Sequence, residues 1–242
     1  MSGRCLTRHL RRLPDLLRRR RAIARLARDV AGGVALTYDD GPGRVLQPRL
    51  LAELDGLAVR ATFFVHGGRL AEDPEAGRAL VAAGHEIAAH GAAHVDGWRA
   101  TADLERADVA DGVRAVREIL GIEARRHRPP HGRATAATIE ACRELGLACT
   151  WWTHDGLDAR GDLDPARLAP PAVIAERVVR AGGGVVLLHA HDRPGTDEGA
   201  RAAERTIDVT RAVVAAARRA GLAVGALEDV VRPSVDTARS AA

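Results

Sequence analysis

Thr37-Tyr38-Asp39-Asp40-Gly41-Pro42 is the stretch of this 242-residue chain whose reading decides the fold. Just upstream, Val34, Ala35 and Leu36 form an apolar run too short and too tightly bounded for a helix, and read as the buried end of a strand. Gly41-Pro42 then stops strand and helix alike. Consecutive side chains of an extended chain diverge, so Asp39 and Asp40 point in different directions. One can bind a metal while its neighbour handles protons. The plainer reading is an acidic turn, because Asp and Gly-Pro are common turn residues. What decides between the two is whether the rest of the chain supplies partners for two carboxylates.

Outward from this stretch, strand-like and helix-like segments alternate. Residues 46–57, 74–83, 101–120, 135–145, 172–181 and 204–220 read as helices. Of these, 101–120 is the clearest, with Thr101 as N-cap, Gly121 as stop and Leu104, Val109, Val113, Val116 and Leu120 at near-helical spacing. Residues 61–65, 86–89, 147–152, 185–188 and 222–224 read as strands, and 125–128 as the approach to a Pro129-Pro130 loop. Such alternation over some two hundred residues argues for an α/β fold with mostly parallel strands. Asp39 and Asp40, His90, Arg128, Asp155 and Asp158, and His189 all fall just after strand-like segments. An open doubly wound sheet would gather some of them at its switch point. A (β/α) barrel gathers all of them on one face. The expectation is a distorted, TIM-like (β/α) barrel with fewer than eight complete units.

The chain is long enough for one globular domain, taken as residues 33–232, with 233–242 as a tail. Residues 1–32 read as a basic arm or an amphipathic helix, with Leu10, Leu13, Leu16 and Leu17 beside the run Arg18-Arg19-Arg20-Arg21. Lysine and asparagine are absent, so the net charge of +4 is carried by arginine. Arginines near an anionic lipid surface each contribute about 1 kcal/mol, which makes peripheral membrane contact through this arm one reading. No nucleic-acid reading motif accompanies the charge. Cys5, Cys142 and Cys149 show no metal-ligand spacing and read as small buried hydrophobes rather than a disulfide framework. No apolar run reaches a membrane span, and no secretory signal is recognised, so the expected location is cytoplasmic, peripheral at the inner membrane face if the arm binds lipid.

His90-Gly91-Ala92-Ala93-His94 is the second informative segment. Histidines four apart meet on one face of a helical turn, so both imidazoles could reach one ion. With an aspartate from residues 37–42 they make a carboxylate and two imidazoles, a set suited to a catalytic divalent metal, zinc first.

At this point the chain resembles the polysaccharide deacetylases, the NodB-homology family known as carbohydrate esterase family four. Five short motifs occur in the family's order across residues 34–195. Residues 37–42 resemble T-F-D-D-G-P, 90–94 resemble H-[ST]-x-x-H, and Arg128-Pro129-Pro130-His131-Gly132 resembles R-x-P-x-G. Residues 155–159 resemble D-x-x-D-W, and Leu187-Leu188-His189 resembles L-x-H.

The resemblance implies a metal-dependent carbohydrate N-deacetylase acting on an N-acetylated sugar. It implies Asp40, His90 and His94 as ligands of Zn2+, with Co2+ or Ni2+ as alternatives, and Asp39 as general base. Arg128 would keep Asp39 ionised and aimed, and His189, oriented by Asp158, would be the general acid. The His131 backbone N–H would help hold the oxyanion, with Leu187 beside the substrate.

Three positions depart from the pattern. Gly91 removes a hydroxyl that could fix the loop, while His131 and Ala159 replace aromatic residues of the sugar groove. With aromatics at 2%, a long polymer track is poorly provided, which favours a small or lipid-linked substrate. Two alternatives stay open: hydrolysis of an O-acetyl ester or non-sugar amide at the same site, and a catalytically silent carbohydrate-binding protein. His191 and Asp192, next to His189, read equally as lining the site or as a surface loop; His154, beside Asp155, reads as solvent-exposed rather than as a support of the site, and His66 receives no role.

Overall fold

The computed structural model describes residues 12–159, 168–192 and 196–231. Its centre is β1 (Gly33–Asp39), buried along its whole length. β1 pairs in parallel with β2 (Thr62–Val65) through residues 37–39, and with β8 (Ala223–Gly225) through residues 33–35. It also pairs with β7 (Gly184–His189), in a register that sets Asp39 opposite His189. The sheet continues outward as β3 (Glu86–Ala89), β4 (Arg126–His127) and β5 (Ala148–Cys149) on the β2 side, and as β6 (His154–Asp155) beyond β7. Every pairing is parallel.

A short connection forces the sheet to curl. β5 and β6 lie at opposite ends of the strand order, yet only residues 150–153 separate them. Five Cα steps reach at most about 18 Å even when fully extended. The Thr150 N–H donates to the His127 carbonyl at 2.8 Å and the Thr153 N–H to the Val185 carbonyl at 3.0 Å, so the segment is tied to both ends. The result is the distorted (β/α) barrel expected from the sequence. β5 passes to β6 without a helix, which leaves fewer than eight complete β/α units.

The helices are α1 (Leu13–Asp29), α2 (Leu46–Gly56), α3 (Gly67–Glu72), α4 (Pro74–Ala82), α5 (Ala102–Leu120), α6 (Ala136–Glu144), α7 (Pro171–Arg180), α8 (Asp197–Arg219) and α9 (Leu227–Val230). Strand side chains alternate between faces. Leu36, Tyr38, Phe63, Val65, Val186 and Leu188 form the main core with Leu50, Leu54, Leu80, Val116, Val178 and Val213 from the helices. The opposite face is lined by smaller residues, Ala35, Ala88 and Val185, with Phe64 and Trp152. Thr37 and Asp39 share the parity of Ala35, so they point to this second face.

α1 lies against the same face. Its Leu26 joins that cluster with Val30, the residue following the helix. At its other end Arg12 Nη2 donates to the Trp98 carbonyl at 2.6 Å, and the Arg19 guanidinium sits 5.2 Å from the Trp152 ring centre. Long cationic side chains can cover apolar surface in this way while keeping their charged ends near water. Residues 1–11 and the tail 233–242 lie outside the described residues.

Four local expectations are corrected. Only Ala148–Cys149 of the stretch 147–152 is strand, because residues 150–153 cross to β6. Arg126–His127 is itself a strand, its polar sequence hiding a fully buried His127 and an Arg126–Glu86 pair at 3.0 Å. α3 was not expected; the His66 ring caps it by accepting the Arg69 N–H. α8 begins seven residues earlier than the apolar periodicity suggested, at Asp197 rather than residue 204, because Thr196 caps it. Among the described residues no helix is long and apolar enough to cross a membrane.

Candidate metal centre and active site

Asp39, the last residue of β1, turns into the barrel and meets a buried cation. Arg128, fully buried, donates from Nη1 to Asp39 Oδ1 at 2.6 Å and to Thr37 Oγ1 at 2.9 Å. Its Nη2 donates to the Trp151 carbonyl at 3.0 Å, and its guanidinium carbon lies 3.9 Å from the Phe64 ring centre. Burial acts against the guanidinium charge and Asp39 acts for it. An arginine with these partners stays protonated. The other Asp39 oxygen, Oδ2, is 3.8 Å from His90 Nε2.

Asp40 leaves the strand in the left-handed region, φ 66°, which swings its side chain away from that of Asp39. Its Oδ1 sits 3.2 Å from His90 Nε2 and 3.1 Å from His94 Nε2. The three ligand atoms lie within 4.8 Å of one another. His90 Nδ1 is 2.8 Å from the Arg128 carbonyl, which can only accept, so that nitrogen carries the proton and Nε2 presents a lone pair. Asp40 Oδ1 is buried with no hydrogen bond of good geometry. A buried carboxylate oxygen facing two imidazole nitrogens with nothing between them is the environment a divalent cation would complete. The donor set fits zinc and its neighbours. Burial alone would raise the Asp40 pKa, but the contacts with His90 and His94 outweigh it and hold the carboxyl well below its usual range. Burial disfavours charge on His90, and Asp39 and Asp40 reverse the sign, so its pKa is raised.

The histidine pair meets differently from the expected helical turn. Residues 90–97 form a loop, with Gly91 at φ 72° and His94 at φ 56°. The i, i+4 spacing brings the rings together because two left-handed residues fold the chain, not because a helix does.

Across the mouth, His189 closes β7. Its Nδ1 is 3.0 Å from Asp158 Oδ1, and its backbone N–H donates to Asp158 Oδ2 at 2.7 Å. Thr206 Oγ1 also donates to Asp158 Oδ2, at 2.9 Å, so this buried carboxylate is fully used. Burial by itself would lower the His189 pKa; the charge and hydrogen bond of Asp158 reverse this and push it up to about 9.

His131 stands at the rim in the left-handed region, φ 57°, its ring 4.6 Å from that of His94. Leu187 is buried on β7, and its carbonyl accepts the Gly156 N–H at 2.9 Å. Asp39, Asp40, His90, His94, Arg128, His131, Asp158, Leu187 and His189 thus gather around one mouth at the strands' C-terminal ends. Asp155 does not join them; it is exposed and accepts the Leu157 N–H in a local turn. His154 meets Thr153 Oγ1 at 2.8 Å, and Asp192 caps α2 through the N–H groups of Val45 and Leu46.

Sequence reasoning left His191 between lining the site and lying in a surface loop; its Nδ1 is 3.4 Å from Asp40 Oδ2, which places it at the site. A signal was available: with Asp39 opposite His189, the residues just beyond each strand are neighbours. His66, ring centre 6.0 Å from that of His94, was left without a role.

Comparison with known proteins follows the same outline. Residues 28–150 match the family model described as polysaccharide deacetylase. The chain is 33% identical over 210 residues to a chitooligosaccharide deacetylase of Bradyrhizobium sp. (strain ANU 289), covering 84% of this chain and 93% of that protein. It is 30% identical over 169 residues to a peptidoglycan-N-acetylglucosamine deacetylase of Bacillus cereus, covering 67% of this chain and 76% of that protein. Among solved structures, a family 4 carbohydrate esterase from Streptomyces lividans in complex with acetate superposes with a TM-score of 0.69 at 25% identity, covering 84% of this chain and 98% of that one.

Proposed function

The chain belongs to the polysaccharide deacetylase family, and from that premise we propose that it is a metal-dependent hydrolase that removes the N-acetyl group from an N-acetylated amino sugar. The observation that carries the reading is the division of labour between neighbours: Asp39 is held by Arg128, while Asp40 faces two histidines. A protein that only bound sugar or metal would need no buried arginine on the first carboxylate.

Asp40, His90 and His94 would hold the cation, which when bound would acidify a water and polarise the acetamide carbonyl. Asp39, aimed by Arg128 and lying beside His90, accepts the proton of the attacking water. The His131 backbone N–H would help hold the developing oxyanion, and a preorganised donor of this kind is worth about 3 kcal/mol. His189, kept protonated by Asp158, delivers a proton to the departing amine. Acetate and a free amino sugar leave. Ala159 and His131 leave the groove short of aromatic stacking faces, which supports a short oligosaccharide, a small glycoside or a lipid-linked sugar as substrate.

The test is acetate release from N-acetylglucosamine oligomers, lipid-linked N-acetyl sugars and O-acetylated sugars, before and after chelation and with Zn2+ or Co2+ restored. Metal-dependent release from the N-acetyl set is the expected result. Release from O-acetyl esters alone would overturn the amide reading.

The acid role of His189 sets a pH dependence. Because its pKa is raised, the imidazolium persists through neutrality and is lost as pH rises through about 9. Activity therefore declines on an alkaline limb no higher than about pH 9. Asp158→Asn removes the charge that raises the pKa and leaves the burial that lowers it, so the limb moves to lower pH. A pH–kcat profile with the same limb in both proteins would exclude the pairing as the source of the acid.

Contact with an anionic membrane through α1 belongs to the same proposal. Residues 1–32 hold ten arginines against Asp15 and Asp29, a net +8 in a chain of net +4, so the remainder carries −4. Co-sedimentation with phosphatidylglycerol vesicles should occur and should fade with added salt. Absence of binding in low salt would remove the membrane from the reading.

A further inference from the structure

The loop that carries His90 and His94 is held by a side chain outside all five motifs. Asp108, on α5 and 4% exposed, accepts the Ala92 N–H at 3.0 Å and the Ala93 N–H at 2.6 Å on Oδ1. Its Oδ2 accepts the Val95 N–H at 3.3 Å. Three backbone donors, on both sides of His94, thus converge on one buried carboxylate. Hydrogen bonds to an ionised acceptor are about twice as strong as neutral ones.

Gly91 is the counterpart of this arrangement. A Cβ at position 91 would lie 2.1 Å from Asp108 Oδ2 and 2.9 Å from its Cγ, in addition to the burden of a φ of 72°. The carboxylate fills the space where a serine or threonine side chain would begin. One turn further along α5, Gly112 lets the helix come this close, because a Cβ there would lie 2.6 Å from the Gly91 carbonyl carbon. The Gly67 and Gly68 N–H groups also hold the loop, donating to the carbonyls of Gly91 and Ala92 at 2.8 and 2.9 Å.

We propose that Asp108 is a positioning residue of the metal centre, and that Gly91 and Asp108 form a matched pair in which the helix carboxylate replaces a hydroxyl carried by the loop itself. The inference rests on Asp40, His90 and His94 as metal ligands, because positioning matters only if the two imidazoles share a cation. The departure at Gly91 is then a relocation of the loop's anchor rather than its loss. Outer groups that orient metal ligands typically carry a ten- to hundredfold effect on affinity.

The test is a double-mutant cycle read as metal affinity, by competition of Zn2+ against a chromophoric chelator, with the Co2+ visible spectrum reporting coordination. Asp108→Ala should weaken binding at least about tenfold and alter the Co2+ spectrum. Gly91→Ser should cost about as much in the native background, where the new Cβ meets the carboxylate. In the Asp108→Ala background the same Gly91→Ser should cost less than about threefold, because the clash is gone and a hydroxyl is gained. The backbone burden of a serine at positive φ is common to both arms and cancels. Asp108→Asn, which keeps the shape and one acceptor, should fall between native and Asp108→Ala and serves if the alanine variant does not fold. Thermal unfolding of the metal-free proteins separates a folding defect from a loop defect.

Equal costs of Gly91→Ser in both backgrounds, or unchanged affinity in both Asp108 variants, would overturn the pairing. Failure of the native chain to bind either metal would instead overturn the metal-centre reading beneath it.

Discussion

Asp39→Asn lowers kcat by about a thousandfold while leaving metal affinity near native. The substitution keeps the shape of the side chain and keeps an acceptor for Arg128 Nη1, which stands 2.6 Å from Oδ1. It removes the capacity to take a proton, and a positioned general base is worth about 10²–10⁴ in rate. The cation site is spared because its ligand set uses Asp40, and the nearest approach of Asp39 to it is 3.8 Å, from Oδ2 to His90 Nε2. Stability does not stay native. Arg128 loses its counter-charge but retains the Thr37 hydroxyl, the Trp151 carbonyl and the Phe64 face, so the loss should stay below the roughly 3–5 kcal/mol typical of a fully broken buried pair. Steady-state kinetics, chelator competition and a thermal melt on one preparation separate the three effects. Activity within tenfold of native would mean that another group takes the proton.

Why these residues were legible before the structure follows from where information sits in a barrel. β1 and β7 are buried apolar runs that end in polar residues, so strand and site announce each other: the apolar run fixes the strand, and the next polar residue marks the mouth. β4 and β6 carry no such signal. Each has two residues, Arg126-His127 and His154-Asp155, too few for periodicity and too polar for a buried run. They are strands because their neighbours pair with them. α1 was obscure for a similar reason. Its arginines suggest a solvated arm, whereas Arg12 and Arg19 contact the Trp98 carbonyl and the Trp152 ring.

Within the site, residues tied to a short motif were readable, and residues brought in by register or by a helix one segment away were not. His191 needs the β1–β7 register to be placed beside Asp40. Asp108 needs the approach of α5 to the loop, and Gly91 looked like a missing hydroxyl until the carboxylate occupying its space was seen. The histidine pair shows both sides: its members were evident, but the fold that unites them is a loop with two left-handed residues.

Arg128→Met should be the most damaging single substitution to stability in the site. Arg128 is the largest fully buried side chain among the described residues, and two of its partners lose their hydrogen bond without it, the Asp39 Oδ1 atom and the Trp151 carbonyl, while the Thr37 hydroxyl keeps its bond to the Val186 carbonyl. Removing one partner of a buried ion pair costs about 3–5 kcal/mol, because the remaining charge is stranded. In a chain of this length that lowers the melting temperature by on the order of 10 °C. Activity should fall at least as far as in Asp39→Asn, since the base is no longer aimed. Arg128→Lys should rescue little, because an ammonium on a flexible stem cannot reach Asp39, Thr37 and Trp151 with one planar fork.

The informative variant is the pair Asp39→Asn with Arg128→Met. If stranded charge is the source of the instability, the double substitution recovers part of the melting temperature lost in Arg128→Met while activity stays at the floor. Simple addition of the two losses in stability would mean that Arg128 supports the barrel through its packing on Phe64 and the Trp151 carbonyl, and that its pairing with Asp39 serves aim alone.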